Sequence, residues 1–274
     1  MRSETTTCAY IGFDSAWTDS PHTPGAVCAL VSRPGKPPIF HAPRLATFAE
    51  ALAFIRETQT MASFTLVALD QPTIVKNMTS LRPVERVAAS LIGWLGGGVQ
   101  PSNRRRVGMF CDDAPIWSFL DSLGAIEAPE AARKATDGLY LMEVFPAIAM
   151  PSLSPEFFGR LAAPRYNPAR RKTFKLADWM KVCVALADRF EAFAYDEAAR
   201  WMREAVVIPR IAKADQDRLD AMVCLWTALH WRLQEREASL IIGDANEGYM
   251  VLPAVDNVRS HLVAAARRVG IECR

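Results

Sequence analysis

The sequence contains no closely spaced pair of cysteines and no apolar run long enough to cross a membrane. Its six cysteines are widely scattered, with no C-x-x-C pair, which argues against a zinc ribbon or a disulfide scaffold and favours a reducing compartment. No apolar run approaches the roughly 20 residues of a membrane helix. Residues 1–7 are polar and lack the apolar region of a signal peptide. We therefore expect a cytoplasmic protein with no membrane partner.

The sequence also has little excess of either charge. Its formal net charge is +2, so local clusters of Arg and Lys must decide whether nucleic acid is a partner. The four histidines have no metal-binding spacing, and the glycines at 96–98 lack the spacing of a nucleotide-binding loop, which favours the exit of a helix. Half of the chain's 274 residues are hydrophobic. That composition predicts a single domain over residues 1–274 with a large core.

Two short apolar runs that end in an aspartate predict neighbouring buried strands. Residues 9–14 (AYIGFD) end in Asp14, and residues 64–70 (FTLVALD) end in Asp70. Two antiparallel strands and then a helix are predicted between these runs, and the crossover through that helix would place the second run beside the first and parallel to it. We therefore expect Asp14 and Asp70 to be neighbours at the carboxyl end of the sheet, where ligands bind in open α/β folds.

The segments around these two runs predict the rest of the sheet. Residues 26–31 and 39–41 predict two strands joined by short turns, and a capping box starting at Thr47 predicts a helix. Residues 139–145 (LYLMEVF) predict a fifth strand, in which Glu143 shares a face with apolar residues. The predicted fold class is α/β, with a mixed five-stranded sheet and flanking helices.

The second half of the chain is mainly helical. We interpret residues 73–137 and 151–211 as insertions into the domain, the second of them a helical insertion before the last catalytic helix. Residues 240–252 predict a hairpin. Helical periodicity and capping residues predict helices over residues 82–95, 173–190, 195–205, 214–237 and 256–270.

Five acidic residues are the candidates for a catalytic and metal-binding site. Crowded carboxylates repel one another and stay ionised only if a cation lies between them. Oxygen ligands suit Mg²⁺ or Mn²⁺, and two such ions about 4 Å apart can activate a water and stabilise the leaving oxygen of a phosphodiester. The candidates are Asp14, Asp70, Glu143, Asp217 and Asp220.

Each of these acids also has a simpler explanation when taken alone. An aspartate at a strand end can form a turn or cap the next helix. Glu143 can be an exposed charge at the end of a strand, and Asp217 and Asp220, three residues apart, can be an exposed pair in the first turns of a helix. Only their combined order along the chain favours a shared site.

Basic residues and one tryptophan are the candidates for substrate binding. Arg and Lys clusters can bind phosphate, although such clusters are as often a solvated surface. Trp17 can stack on a base or pack beneath the loop that follows the first strand. The basic candidates are Arg104, Arg105, Arg106, Arg170, Arg171, Lys172 and Lys175.

The order of the predicted elements resembles the ribonuclease H-like fold. The motifs at residues 12–14 (GFD), 69–72 (LDQP), 143–146 (EVFP), 219–221 (LDA) and 243–249 together resemble domain of unknown function 429, a family described as predicted ribonuclease H-like nucleases. The resemblance spans nearly the whole chain. It implies that the five acids form the site, and the aspartates on the last acidic helix are similar to those of Holliday-junction resolvases.

One motif departs from the family, whose second motif is followed by an arginine-rich helix with regularly placed acids. Arg82, Glu85 and Arg86 match that helix only loosely. The resemblance implies a divalent-metal-dependent nuclease or resolvase acting on DNA or RNA, and resolvase activity would suit a homodimer.

Two other functions stay open at the level of sequence. An ATP-dependent phosphotransferase on a related fold would need a turn of small residues after the first strand, whereas Asp14 is followed by Ser-Ala-Trp. A non-catalytic member that binds nucleic acid or protein could keep the fold and part of the acidic set. Titration with Mn²⁺ would separate this last class from the nuclease.

Overall fold

A mixed five-stranded sheet lies at the centre of the computed structural model, which describes residues 6–274. The order across the sheet is β3-β2-β1-β4-β5. Strand β2 runs antiparallel to its neighbours β1 and β3, whereas β4 and β5 run parallel to β1. The strands are β1 (Cys8–Asp14), β2 (Gly25–Arg33), β3 (Lys36–Ala46), β4 (Phe64–Asp70) and β5 (Gly138–Glu143). Asp14 pairs with Asp70 in the register of β1 and β4. The predicted adjacency of these two residues is confirmed.

Helices cover both faces of this sheet, and a separate hairpin follows the longest helix. Their bounds are α1 (Phe48–Gln59), α2 (Pro83–Trp94), α3 (Pro115–Leu123), α4 (Pro129–Ala132), α5 (Pro146–Leu153), α6 (Leu176–Ala192), α7 (Asp196–Ala205), α8 (Lys213–Leu233) and α9 (Asp256–Val269), with β6 (Ser239–Asp244) and β7 (Gly248–Pro253) as the hairpin. Within residues 6–274, no helix has the length and apolarity to cross a bilayer.

Local sequence signals set several of these boundaries as predicted. Thr47 caps α1, with its hydroxyl accepting from the Glu50 amide (3.4 Å) and its own amide donating to the Glu50 carboxylate (2.8 Å). Gly96 takes a φ of +87° after α2, which confirms that the glycine triplet is a helix exit.

Other boundaries differ from the sequence-based expectation. The third strand is longer than residues 39–41, because its pairing with β2 extends over Lys36–Ala46. The fifth strand ends at Glu143, and Pro146 opens α5 rather than only ending the strand, since proline fits the first turn of a helix. Asp256 lies in the first turn of α9, where Val255 is the N-cap.

The two segments interpreted as insertions contribute to the cores of the fold. Trp179 and Phe190 of α6 and Met202 of α7 belong to the same buried cluster as Tyr10 of β1. Helices α2 and α9 pack with the β6-β7 hairpin in a further cluster. The segment 151–211 contains α6 and α7 as its main helices; α6 packs against α8, which lies on the central sheet, and α7 contacts β3.

Helix α8 approaches β1 closely because β1 carries a glycine at the crossing point. A Cβ on Gly12 would lie 2.1 Å from the Ala221 oxygen and 2.5 Å from the Leu225 nitrogen, so the backbones are in direct contact there. The Cys28 thiol adds a bond from β2, donating to the Ala221 oxygen at 3.4 Å. Since Gly12 is two residues before Asp14, this crossing carries the first turns of α8 over the end of β1.

Candidate functional site

Four aspartates lie near one another where β1 and β4 end beneath α8. Asp14 and Asp70 are adjacent across the two strands, and each carboxyl group affects the pKa of the other. Asp217 and Asp220 come from the second and third turns of α8 and are 8% and 6% exposed. This contradicts the alternative that the α8 pair is an exposed couple of charges.

The buried position and mutual repulsion of these carboxyls make them difficult to ionise. Burial and the charges of Asp220, Asp70 and Asp217 raise the pKa of Asp14 well above its ordinary value. Burial, then Asp220 and Glu143, do the same to the pKa of Asp70. Burial raises the pKa of Asp220 to about 6 against the opposing hydrogen bond from Tyr166. The arrangement favours any positive charge that enters between them.

Three neighbouring side chains partly offset this negative charge. The Lys213 ammonium pairs with the Asp217 carboxylate, the Gln216 amide donates to Asp220, and the Tyr166 hydroxyl donates to Asp220 at 2.8 Å. Burial alone would lower the pKa of Lys213, but the surrounding carboxylates raise it above its ordinary value. These roles were not predicted from the sequence, although Lys213 and Gln216 each precede their acid by four residues, the spacing of side-chain pairs on a helix.

Glu143, the fifth predicted acid, is held by a separate buried network. Arg82 donates to both of its carboxylate oxygens, at 2.5 and 3.0 Å, and the Thr73 amide donates at 3.0 Å. Arg82 also pairs with Glu85 at 2.9 Å. Glu143 is 1% exposed, so it is no exposed strand-end charge, and its pKa is raised to about 7 because burial outweighs Arg82.

Glu143 therefore lies near the aspartates, but its carboxylate is already paired with Arg82. It is close enough to raise the pKa of Asp70, but both of its oxygens already accept hydrogen bonds from a guanidinium. Arg82, which matched the family motif only loosely, is thus a central residue of this network. Its partner could not be found from sequence, because 61 positions separate it from Glu143.

We predict that Arg82→Met strongly destabilises the protein. Removing one partner of a buried ion pair leaves an uncompensated charge and costs about 3–5 kcal/mol of unfolding free energy. Urea denaturation measures this loss. The double variant Arg82→Met/Glu143→Gln should recover part of it, and equal stability of Arg82→Met and wild type would contradict the network.

Trp17 packs beside the aspartates and lines the site. Its indole N–H donates to the Asp70 carbonyl oxygen at 3.2 Å, and its ring meets Phe110 edge-on with centroids 5.3 Å apart. Its φ of +48° is unusual for a non-glycine residue. The packing interpretation is confirmed, and base stacking stays a prediction.

Aspartates line two cavities, and a third cavity is lined by Tyr166 and Gln216, the two partners of Asp220. One of about 450 Å³ lies beside Asp14, Asp217 and Lys213 and includes Trp17. A second, of about 180 Å³, reaches from Asp70 to Glu143 and also includes Trp17. The third measures about 140 Å³ and includes Tyr166 and Gln216 in its lining.

The two predicted basic clusters differ in their surroundings. Arg104 pairs with Asp112 and stacks on the Trp117 ring, 5.1 Å from its centroid, so it already has protein partners. Arg105 is exposed, while the buried Nε of Arg106 has no hydrogen-bond partner among residues 6–274. Each residue of the second cluster is exposed, and Arg170 also lines the third cavity; the cluster comprises Arg170, Arg171, Lys172 and Lys175.

The donor set has the chemistry of a Mg²⁺ or Mn²⁺ site, although its side chains are not gathered around one point. Carboxylate oxygens are the ligands these ions prefer. Within the described part of the chain, no three His, Cys, Asp or Glu side chains already form a group that could hold a metal ion. The partners of Asp217 and Asp220 are instead the Lys213 ammonium, the Tyr166 hydroxyl and the Gln216 amide.

Comparisons of the chain with protein-family models, with curated proteins and with solved structures gave no match. The resemblance to domain of unknown function 429 therefore stays a prediction.

Proposed function

We propose that the protein is a divalent-metal-dependent nuclease that hydrolyses phosphodiester bonds of nucleic acid. The observation that carries this proposal is the pairing of Asp14 with Asp70 at the ends of two parallel strands, directly beneath two more buried aspartates of α8. Buried carboxylates that raise one another's pKa are typical of sites that bind a cation or transfer a proton. The strand order and directions also fit the ribonuclease H-like fold expected from the sequence.

In this proposal, Asp14, Asp70 and Asp220 hold Mg²⁺ or Mn²⁺ with help from Asp217. When bound, the ion supplies an activated water and stabilises charge on the leaving oxygen. Tyr166 and Gln216 orient the Asp220 carboxylate through their hydrogen bonds. Lys213, half exposed at the mouth of the cavity beside Asp14, is positioned to attract a phosphate.

The direct test is cleavage of labelled substrates. Single-stranded, duplex and branched DNA and the corresponding RNA are incubated with Mg²⁺, Mn²⁺ or EDTA, and products are resolved by length. We expect cleavage of at least one substrate with metal and none with EDTA. Absence of cleavage with either metal on every substrate would favour a non-catalytic binding protein.

Metal binding should stabilise the protein more at neutral than at acidic pH. Below about pH 6 protons compete with the ion for Asp220. At a Mn²⁺ concentration of 100 times Kd, the gain should be about 2.7 kcal/mol. Thermal melting at about pH 5 and about pH 7.5 measures the difference; equal shifts at both would contradict binding at these carboxyls.

Without metal, the same raised pKa values should reduce stability as the pH rises. The unfolded chain releases its aspartate protons near pH 4, whereas Asp220 in the folded protein keeps its proton up to about pH 6. The free energy of unfolding should therefore fall between these values of pH. A profile of urea denaturation against pH in EDTA provides the reference curve for the metal experiment.

Reversal of the exposed basic segment should weaken nucleic-acid binding in a salt-dependent way. Arg170→Glu/Arg171→Glu/Lys172→Glu removes phosphate contacts, so affinity should fall most at low salt and the salt slope should become shallower. Fluorescence anisotropy with labelled oligonucleotides in EDTA measures both. Reversing the exposed Lys134 on another surface is the control; unchanged affinity at every salt concentration would exclude the segment.

A further inference from the structure

The third cavity, which is lined by Tyr166 and Gln216, has a volume and a lining suited to a small planar ring. It measures about 140 Å³, close to the roughly 150 Å³ cavity that accommodates a benzene molecule. Ile92, Leu95, Met150 and Phe157 form an apolar part of its wall. Such a wall matches the faces of an aromatic ring, as in most small-molecule sites.

The polar part of the lining offers hydrogen bonds for the edge of such a ring. Gln216 is 7% exposed, and its buried Oε1 has no hydrogen-bond partner among the described residues. Its Nε2 donates to Asp220, so Oε1 is the unpaired acceptor of this side chain. Asn167 and Thr173 add further polar groups to the same cavity. Buried acceptors without partners are rare in folded proteins, and a ligand N–H would satisfy this one.

The same cavity is joined to the aspartates through two of its walls. Tyr166 and Gln216 both line it and both donate to the Asp220 carboxylate. Arg170 lines the cavity as well, and its side chain is exposed. A ring bound inside would therefore lie next to the proposed cleavage site, with a cationic group available for its phosphate.

We propose that this cavity binds one pyrimidine base of the nucleic-acid substrate, turned out of its stack, and so positions the adjoining phosphodiester at the aspartates. The inference deepens the proposed function and rests on it for the nucleic-acid character of the ligand. Uracil and thymine offer their N3–H to Gln216 Oε1, and cytosine offers its amino group. Enzymes that act within nucleic acids commonly read an extruded base in this way. A purine places a second ring against the same walls and therefore fits this benzene-sized space less well than a single ring does.

The test measures nucleotide binding without metal, so that it is independent of cleavage. Uridine, cytidine, adenosine and guanosine 5′-monophosphates and ribose 5-phosphate are titrated against the full chain in EDTA, with binding followed by isothermal titration calorimetry. We expect the pyrimidine nucleotides to bind at least about tenfold more tightly than the purine nucleotides, because overpacking a formed cavity is costly. Ribose 5-phosphate should bind more weakly than either pyrimidine nucleotide.

Ala163→Phe fills the cavity from a loop residue that lines it, and Ala169→Phe adds the same ring at an exposed position outside it. Pyrimidine binding should be lost in the first variant and kept in the second. Thermal melting shows whether both variants are folded. If Ala163→Phe is unfolded, the preference of the wild-type protein for pyrimidine over purine nucleotides tests the inference instead. Equal binding of purines and pyrimidines, equal binding of ribose 5-phosphate, or no binding at all would overturn the inference.

Failure of this inference can be distinguished from failure of the proposed function. Metal-dependent cleavage without any pyrimidine preference in binding would remove the base pocket and keep the nuclease. Selective pyrimidine binding by a protein that cleaves no substrate would keep the pocket as a ligand site and remove the nuclease.

Discussion

Asp14→Asn should abolish metal-dependent cleavage while leaving the protein folded. Asp14 is the residue of β1 that faces Asp70, and the charges of Asp70, Asp217 and Asp220 all raise its pKa. Removing even a group behind a metal ligand costs up to about 100-fold in activity, so loss of the ligand itself should cost at least that much. Initial rates of cleavage with Mn²⁺ measure the effect.

The stability of this variant separates a functional carboxyl from a structural one. Asparagine has nearly the same shape as aspartate and removes one charge from a repulsive group, so Asp14→Asn should unfold at the same or a slightly higher urea concentration than wild type in EDTA. Asp121→Asn, on the exposed side of α3, is the matched control and should change neither activity nor stability. Loss of folding in Asp14→Asn would mean that this carboxyl is structural.

Gly12→Ala should be the most destabilising small substitution in the chain's first strand. The new methyl group would lie 2.1 Å from the Ala221 oxygen and 2.5 Å from the Leu225 nitrogen, both backbone atoms of α8. Because backbone atoms cannot change rotamer to relieve the clash, α8 must move away from β1. We expect a loss of about 3 kcal/mol or more in unfolding free energy.

Gly93→Ala is the matched control for that prediction. Gly93 lies inside α2, and a Cβ there would meet no atom within 4 Å. Alanine in a helix interior is favoured over glycine by about 0.5–1 kcal/mol, so this variant should be neutral or stabilised. Equal effects of the two substitutions in urea denaturation would contradict the close crossing of α8 and β1.

The strands and the helix that carry the four aspartates could be predicted, because local sequence patterns determine them. The apolar runs that end in Asp14 and Asp70 define two buried strands, and the antiparallel strands β2 and β3 followed by the crossover helix α1 predict that the two are parallel and adjacent. The three-residue spacing of Asp217 and Asp220 on α8 likewise places both near one side of a helix. These features depend on periodicity and chain direction, which a sequence carries.

The partners of the acids could not be predicted, because distant packing decides them. Tyr166 reaches Asp220 from a loop 54 positions away, and Arg82 reaches Glu143 across 61 positions. Helix α8 is also buried on nearly all sides, with Trp226 and Trp231 inside the core, so its sequence does not show which polar residues point into a site. Only the assembled fold separates Glu143 from the four aspartates.

The most direct measurement is an anomalous difference map from crystals of the protein soaked in Mn²⁺ near neutral pH. The proposed function predicts a strong peak bound by the carboxylate oxygens of Asp14 and Asp70, with Asp220 turned toward it, and no such peak in crystals of Asp14→Asn. A map without a peak among these side chains, in crystals that show Mn²⁺ elsewhere or nowhere, would contradict the claim that these carboxylates are brought together for a cation.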